Sequence, residues 1–480
     1  MSKSYKTPGV YVEEISKFPL SVVQVETAIP AFIGYTQRAG VEGTPLPTET
    51  IGAVAVSEAK KITSLIEYET YFGKTPPEAV SVLIEETYTF ATFDVEKRII
   101  VASILAPTKQ TMYYHIQLYF ANGGGRCYII SVGSTDSQDI AAANMLAGLE
   151  MAKRYDEPTL LVFPQATAMN SAAECYDVYN MALLQAGQLM DRFVVMDCYG
   201  DTEEALRSTS GVGTTNLKYG AAYHPFLRTS LNYLYDTTDA AIEILLRKDM
   251  DDDGTFEASD ETIAFDALSS ELQSLVKLEL NKLKVILPPS AAVAGLYALI
   301  DSTRGVWKAP ANIKLNMVSG LTKQITDEMQ SGLNVDPIDG KSINVIRAFT
   351  GKGILIWGAR TLAGNDNEWR YVPVRRFFNM VDESCKKATE GFVSDPNDSN
   401  TWVRVQNMLE KFLTTLWRQG ALQGAKPEHA FYVAVGLNKT MTALDILEGR
   451  MIVEIGLAAV RPAEFIILRF NQNMEVERVK

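Results

Sequence analysis

The middle of the chain alternates short apolar runs with longer stretches of helical periodicity. Residues 127–132, 159–163 and 193–197 are rich in β-branched and aromatic side chains and have the length of buried strands. Helical patterns at residues 140–154 and 172–190 separate them. Helices of this length between buried strands indicate parallel pairing through right-handed crossovers. The sequence therefore predicts an α/β fold whose central domain is a doubly wound sheet.

Apolar periodicity predicts further elements on both sides of this region. Strands are expected at residues 31–37, 344–349, 354–357, 369–374 and 430–435, and helices at residues 112–120, 272–287, 291–300, 377–389 and 402–417. The helix at residues 291–300 consists mostly of small residues, so we expect it to pack closely against a sheet. Residues 77–109 fit neither pattern and are interpreted as an insertion.

Both ends of the chain carry isolated strand-like segments. Near the start, Val10 and Val12 alternate with Tyr11 and Glu13, and Pro19 separates this segment from the rest of the chain. Two interpretations stay open at this point. The segments are either ordinary strands of one terminal domain or arms that pair with another molecule.

The C-terminal segment leaves both interpretations open. Residues 451–457 alternate as a half-buried strand does, and after Arg461-Pro462 a second strand is predicted at residues 465–470. This strand is apolar on both faces, and it includes Phe465, Ile466, Ile467 and Leu468. Because an exposed strand edge templates pairing, we expect it to be covered inside its own domain or inserted into another molecule's sheet.

Composition excludes several classes of protein. A chain of 480 residues is expected to hold two to four domains. The net charge of −13 argues against a partner among nucleic acids, because a phosphate backbone attracts a basic surface. The first residues lack the apolar core of a signal peptide, and the longest apolar run is far short of a membrane span. We therefore expect folding in the cytoplasm, without direct membrane insertion and with reduced, mostly buried cysteines.

Two motifs offer candidate chemistry. Gly73-Lys74-Thr75 echoes a phosphate-binding loop, but Tyr68 stands where its first glycine belongs, so we reject that interpretation. A calcium loop is the second candidate, since its acids are spaced as such a loop requires: Asp249, Asp251, Asp253 and Asp260. The alternative is a solvated acidic loop. The solvated loop is favoured, so no metal or cofactor site is expected.

Seven sequence motifs, spread over most of the chain and in a consistent order, resemble those of contractile tail sheath proteins. They are TPGVYVEE from Thr7, YFANGGGRCYIISV from Tyr119, KYGAAYHPFL from Lys218, PPSAAVAGLYALIDSTRGVWKAPAN from Pro288, IWGARTL from Ile356, WRYVPVRRFF from Trp369 and PNDSNTWVRVQNMLEKFLTTLWRQGAL from Pro396. Residues 438–470 resemble the closing motif of the same family. The resemblance covers residues 40–110 and 230–270 poorly, and the family carries variable, outward-facing insertions in such regions.

The resemblance implies a multidomain tail-sheath fold with extended arms. It divides the chain into an N-terminal arm (1–20), an outer variable region (21–110), a subtilisin-like sheath domain with a polar insertion (111–364), an α+β C-terminal domain (365–463) and a C-terminal arm (464–480). The name of the central domain describes its fold and not an activity. The chain has three histidines, His115, His224 and His429, and none lies in a protease-like motif, so we interpret each as structural.

The resemblance also implies a function and partners. Family members form a helical homopolymer around an inner tube protein, with baseplate and terminal cap proteins at its ends. Residues 10–13 and 465–468 would be the inter-protomer arms. Arg404, Lys411 and Arg418 are the candidates for facing the tube, and Arg375-Arg376 is a second candidate contact between protomers.

Two alternatives remain at the level of the sequence. One is an α/β enzyme with a site at the strand ends of its sheet, and the other is a calcium-dependent surface protein. The enzyme lacks a recognisable motif and the surface protein lacks a targeting signal. A sheath protein would be assembled in a bacterial cytoplasm and then form part of a phage tail or of a related, released particle.

Overall fold

A computed structural model describes residues 21–89, 94–137, 139–236, 242–250, 256, 261–336, 338, 340–465 and 467. The chain divides into two compact units. The larger unit contains the described residues of Glu26–Met380 and Arg461–Lys480, and the smaller unit contains those of Met1–Val25 and Val381–Val460. We describe each unit by itself.

The structure contains helices and strands in alternation along most of its length. The strands are β1 Pro30–Thr36, β2 Gly40–Val41, β3 Thr44–Pro45, β4 Thr48–Ile51, β5 Val54–Ser57, β6 Lys60–Ile62, β7 Val80–Tyr88, β8 Val95–Ile104, β9 Cys127–Ser134, β10 Leu160–Val162, β11 Phe193–Asp197, β12 Gly220–His224, β13 Leu227–Asn232, β14 Ile242–Asp249, β15 Glu261–Ile263, β16 Lys284–Leu287, β17 Ile313–Lys314, β18 Val318–Leu321, β19 Ile343–Phe349, β20 Gly353–Ile356, β21 Phe431–Val435 and β22 Val453–Leu457. The helices are α1 Leu65–Phe72, α2 Met112–Ala121, α3 Ala142–Ala152, α4 Ala172–Leu189, α5 Glu203–Arg207, α6 Ser270–Leu280, α7 Ser290–Arg304, α8 Asp327–Asn334, α9 Val372–Thr389, α10 Ser399–Arg418, α11 Pro427–Ala430 and α12 Ala443–Leu447.

A nine-stranded sheet forms the centre of the larger unit within the part of the chain that the structure describes. Its order is β17-β20-β19-β12-β11-β10-β1-β9-β6. The six strands from β19 to β9 run parallel, and antiparallel strands close both edges. The predicted α/β class is therefore confirmed. Residues 21–110, predicted to form an outer region, contribute β1 and β6 to this sheet.

Helices cover both faces of the sheet, because its strands carry apolar side chains on both faces. Successive residues of β1 show the alternation: Phe32 packs in the layer that contains α2 and α7, and Ile33 packs in the layer that contains α3 and α4. Both side chains are fully buried. The central strands therefore lie between two hydrophobic layers of one unit.

The small-residue helix α7 packs against a second helix as well as against the sheet. A Cβ atom on Gly295 would lie 2.5 Å from the backbone oxygen of Tyr119 in α2. Real Cβ atoms do not approach a backbone oxygen so closely, so glycine is needed for this helix crossing. The prediction that residues 291–300 pack closely is confirmed, and the closest neighbour is a helix.

A second sheet occupies the residues that the sequence pattern left unassigned. Strands β7 and β8 form an antiparallel hairpin within the predicted insertion at residues 77–109, and β14 pairs with β7 in parallel. One face of this sheet packs on α6 through a cluster of apolar residues. Consecutive charged residues interrupt both apolar runs, at Glu85-Glu86 in β7 and at Glu96-Lys97-Arg98 in β8, so an interpretation based on apolar runs misses this hairpin.

Two predicted elements are corrected by the structure. The helix expected at residues 272–287 ends at Leu280, and β16 follows because Val285 and Ile286 favour a strand. The strand expected at residues 369–374 is absent from the described structure: α9 begins at Val372. Only Tyr371 forms an isolated bridge, with Arg360.

The smaller unit combines a long helix with a two-stranded sheet. The Asp398 side chain accepts a hydrogen bond from the Thr401 backbone N–H at 2.9 Å and so caps the start of α10. Strands β21 and β22 pair with each other in antiparallel fashion. Among the helices of the described residues, none is long and apolar enough to cross a membrane.

We predict that the substitution Gly295→Ala lowers the free energy of unfolding by about 1–3 kcal/mol, the usual cost of overpacking. The control is Gly332→Ala in α8, where a Cβ atom would meet no atom within 4 Å. Alanine there is expected to stabilise the protein by up to about 1 kcal/mol. Denaturant unfolding of the unassembled chain measures both values, and equal effects of the two substitutions would contradict the tight α2–α7 crossing.

Candidate functional site

The crevice at which doubly wound sheets bind ligands is filled by two side chains of this protein. It lies beyond the carboxyl ends of β1 and β10, where the order of the strands reverses. The Gln165 Oε1 atom accepts a hydrogen bond from the Tyr35 backbone N–H at 2.7 Å, and its Nε2 donates to Gln110 Oε1 at 2.9 Å. Gln110 in turn donates to the Ser137 carbonyl oxygen at 2.8 Å. Both glutamines are buried.

Gly34 makes this filling possible. A Cβ atom at that position would lie 2.3 Å from Gln165 Oε1 and 2.5 Å from the Met112 methyl group. Because the glycine admits the amide between the strand ends, the backbone N–H of Tyr35 is satisfied without a ligand or water. The crevice thus serves the packing of the body.

A buried polar cluster lies at the ends of the next two strands. Asp197 ends β11, and its Oδ1 accepts a hydrogen bond from the Ser290 backbone N–H at the start of α7, at 2.8 Å. His224 ends β12, and its Nδ1 lies 3.2 Å from the Asp201 carboxylate. Asp201 also accepts hydrogen bonds from the Phe226 N–H and the Thr322 hydroxyl. These contacts hold the strand ends and the α7 terminus together.

The cluster contains serine, histidine and aspartate but does not form a hydrolase relay. Asp197, His224 and Ser290 are at most 1% exposed, so a substrate has no access to them. The Ser290 hydroxyl makes no hydrogen bond to His224 among the described contacts. A nucleophile, base and orienting acid must be linked and open to substrate. Burial raises the pKa of Asp197 to about 7.

The other two histidines lie in different elements. The His115 Nδ1–H in α2 donates to the Thr111 carbonyl oxygen at 2.9 Å, and burial lowers the pKa of His115 to about 4. His429 is exposed in the short helix α11. Burial and the hydrogen bond to Thr111 support the structural interpretation of His115.

The predicted arm residues lie at or outside the described ends. Val10, Tyr11, Val12 and Glu13 are outside the described residues, as are Ile466 and Leu468. Phe465 and Ile467 are described, and they are 71% and 76% exposed. Large apolar side chains at that exposure are candidates for burial by a partner.

The predicted tube-facing residues lie on one face of α10. Arg404, Lys411 and Arg418 are seven residues apart and all exposed, whereas the opposite face is buried. The Arg404 guanidinium lies 3.3 Å from the Asp395 carboxylate. Lys411 and Arg418 add two further positive charges along the same stripe, which we call the basic face of α10.

The second predicted protomer contact, Arg375-Arg376, is wrong. Both side chains are buried inside the larger unit. Arg376 forms an ion pair with Asp301 at 2.5 Å, and the Arg375 guanidinium stacks 4.3 Å from the Trp369 ring. Asp301 neutralises the charge of Arg376, and the Trp369 ring covers Arg375. The short-range pattern of the sequence does not reveal either contact.

The candidate calcium site lies almost entirely outside the described residues. Asp249 ends β14 and is buried, while Asp251, Asp253 and Asp260 are not described. Among the described residues, no group of three potential metal ligands converges. The calcium loop and the solvated acidic loop stay open alternatives. All four cysteines are buried, as predicted.

The smaller unit offers an incomplete sheet. Each strand of the β21–β22 pair has one edge that no other strand in the described part of the chain covers. The crevice of the central sheet is filled, Phe465 and Ile467 expose apolar side chains, and the two-stranded β21–β22 sheet has open edges. These features are typical of a structural protein that assembles with other copies.

Comparisons with known proteins agree with this class. Residues 364–473 match the family model described as the phage tail sheath C-terminal domain. The tail sheath protein of Burkholderia phage BcepMu is 28% identical over 144 residues, which cover 29% of this chain. The match spans 30% of the phage protein's length.

Two solved structures match over nearly the whole chain. A chain of the anti-feeding prophage baseplate is 30% identical, with a TM-score of 0.62, and the match covers 98% of this chain and 100% of that chain. A chain of the PVC sheath complex, an extracellular contractile injection system in the contracted state, is 29% identical with a TM-score of 0.62. That match covers 99% of both chains. The present chain belongs to the contractile tail sheath protein family.

We predict that Asp197→Asn removes a loss of stability at alkaline pH. Because the folded-state pKa of Asp197 is raised to about 7, its contribution is fully present below its unfolded pKa and is lost as pH rises through 7. Each pKa unit corresponds to about 1.4 kcal/mol. The variant should therefore unfold at a higher temperature than the wild type at pH 8, and the difference should shrink towards pH 5.

Thermal unfolding at these two pH values checks this prediction. The same substitution at the exposed Asp266 is the control and should leave the pH dependence unchanged. A constant difference between Asp197→Asn and the wild type at both pH values would show that Asp197 is ionised when folded.

Proposed function

We propose that this chain is the structural protomer of a contractile sheath. Copies polymerise helically around an inner tube, and contraction of the polymer drives the tube through a target envelope. The observation that carries this proposal is the incomplete β21–β22 sheet in a chain that matches sheath structures over nearly its full length. A two-stranded sheet is marginally stable in water, and added strands would complete it.

Strands donated by neighbouring protomers would supply the missing pairing. Residues 10–13 and 465–468 are the candidates. The first segment alternates as a strand, the second is apolar on both faces, and the exposed Phe465 and Ile467 require cover. On the acceptor side, Val433 and Val435 of β21 are buried, so the strand is held in place before a partner arrives. Backbone hydrogen bonds along each edge give affinity, and pockets for alternate side chains set the register.

A polymer woven in this way can shorten without falling apart. The arms keep neighbouring protomers joined while their bodies change partners, and a head-to-tail contact whose rotation does not close yields a helix. The extended state is trapped at assembly and is higher in free energy than the contracted state, in which the bodies bury more mutual surface. This difference drives contraction. No nucleotide takes part. The filled crevice at Gln110 and Gln165 supports a role without catalysis.

The inner tube protein is the proposed partner of the basic face of α10. Three exposed positive charges in a row attract an acidic tube surface, and exposed ion pairs are weak enough to be broken on contraction. Baseplate and cap proteins would bind the ends of the polymer. The particle is assembled in the bacterial cytoplasm and works as a phage tail or as a released injection device.

We predict that deleting residues 1–16, or truncating the chain before Glu464, leaves a folded protein that forms no tubes. Each deletion removes one proposed strand donor while the body keeps its cores. Negative-stain electron microscopy measures tube formation, and circular dichroism checks folding. A chain ending at residue 470 is the matched control, since it keeps the predicted strand, and it should form tubes. Tubes from either truncated chain would contradict strand donation.

We predict that Arg404→Gln, Lys411→Gln and Arg418→Gln in combination weaken binding to the tube protein by roughly 3- to 100-fold, because exposed ion pairs contribute about 0.2–1 kcal/mol each. Co-sedimentation of preassembled tubes with sheath protein measures the change, which should diminish in high salt. The control replaces the exposed Lys277, Lys308 and Lys352 by glutamine, with the same change in charge. If both sets of substitutions weaken tube binding equally, the effect is due to net charge and not to the basic face of α10.

A further inference from the structure

The first residue of the C-terminal arm is held by four donors. Glu464 Oε1 accepts hydrogen bonds from Asn334 Nδ2 and Arg360 Nε, both at 2.9 Å. Glu464 Oε2 accepts from Arg360 Nη2 at 2.6 Å and from the Tyr371 hydroxyl at 3.2 Å. The glutamate is 21% exposed and the arginine 5%. A bidentate arginine–carboxylate pair shielded from water fixes both the position and the orientation of the glutamate. We call this group the Glu464 clamp.

The arginine is itself fixed to the central sheet of the larger unit. The Arg360 backbone N–H donates to Asn344 Oδ1 at 2.7 Å, and its carbonyl oxygen accepts from Asn344 Nδ2 at 2.7 Å. Asn344 lies on β19 and also donates to the Ala222 carbonyl oxygen of β12. Arg360 Nη1 donates to the Asn334 carbonyl oxygen at 3.1 Å. The clamp is therefore anchored to two neighbouring strands of the sheet.

The residues after the clamp are in a different environment. Phe465 and Ile467 expose about three quarters of their side-chain surface immediately after a glutamate with four hydrogen bonds. The chain thus changes from a hydrogen-bonded residue, Glu464, to an exposed one, Phe465, within a single step along the sequence. Burial opposes ionisation of Glu464, but its hydrogen bonds outweigh this effect and lower the pKa, so the clamp stays ionised at neutral pH.

We propose that the Glu464 clamp is the fixed root from which the donated C-terminal strand transmits force into the central sheet of its own protomer. This inference rests on the proposed function. A strand held by a neighbour pulls on its donor only at the point where the donor holds the chain. With the clamp closed, that point is Glu464, next to the donated residues.

Opening the clamp would lengthen the connection. The preceding described backbone anchor is Val460, whose N–H donates to the Ala421 carbonyl oxygen. Residues 461–464 would then join the tether and add up to about 13–14 Å of extended chain, at about 3.3–3.6 Å per residue. Because the connection is longer, the position of one protomer no longer determines the position of the neighbour that holds its strand. The strand is still donated, so polymers form, but their helical order is lost.

The test uses the full chain with two clamp variants and one control. Glu464→Gln breaks the ion pair, and the double variant Arg360→Met with Glu464→Met removes both charges so that no unpaired charge remains buried. Glu448→Gln, at an exposed ion pair with Arg450, is the control. Chymotrypsin cleavage after Phe465 in the unassembled protein reports release of the arm. We expect cleavage at least tenfold faster in both clamp variants, with an unchanged thermal midpoint in the double variant.

Electron microscopy of assembled cylinders gives the second measurement. We expect both clamp variants to form cylinders whose diffraction lacks sharp layer lines, while the wild type and Glu448→Gln retain them. Unchanged cleavage and sharp layer lines in both clamp variants would overturn the clamp while leaving the sheath function intact. Tubes from the chain truncated before Glu464 would instead overturn strand donation, and with it the proposed function on which the clamp rests.

Discussion

Backbone groups at a sheet edge must be paired or covered, and this requirement underlies most of the structure. In the larger unit, the six parallel strands of the nine-stranded sheet are paired on both sides, and helices cover both faces of that sheet. In the smaller unit, the β21–β22 pair does not satisfy it within the described residues. Under the proposed function, strands of neighbouring copies complete the sheet of the smaller unit. In that proposal, polymerisation uses the same kind of backbone hydrogen bonds that fold the protein.

Side chains that join distant parts of the sequence stabilise the body. Arg376 and Asp301 pair within a buried region that includes Tyr297 and Tyr223, whose hydroxyls are 2.6 Å apart. The guanidinium of Arg376 lies 4.5 Å from the Tyr297 ring. Removing one member of such a network leaves a buried charge or hydroxyl without its partner, which costs more than the pair contributes when intact.

The elements that could be predicted are those whose apolar pattern is continuous. The sequence predicts strand β11 with its observed bounds, because it contains one continuous apolar run. It predicts the ends of helices α2, α4 and α10 to within a few residues, because each helix buries one continuous apolar face. The hairpin β7–β8 could not be recognised, since Glu85 and Glu86 interrupt its apolar positions. Arg375 was interpreted as a surface residue because its aromatic neighbours Trp369 and Tyr219 cover it only after folding. Glu464 and Arg360 are 104 residues apart, so no local pattern connects them.

The two glutamines in the crevice have a consequence for where such a particle can operate. Gln165 and Gln110 occupy the place at which related sheet architectures admit a nucleotide or other small molecule. A small molecule could enter there only by displacing two buried glutamines that are hydrogen-bonded to each other. In the proposed mechanism, the work of contraction comes from the packing of the subunits that is fixed at assembly. A particle of this kind can release that work once, in surroundings where no living cell replenishes it.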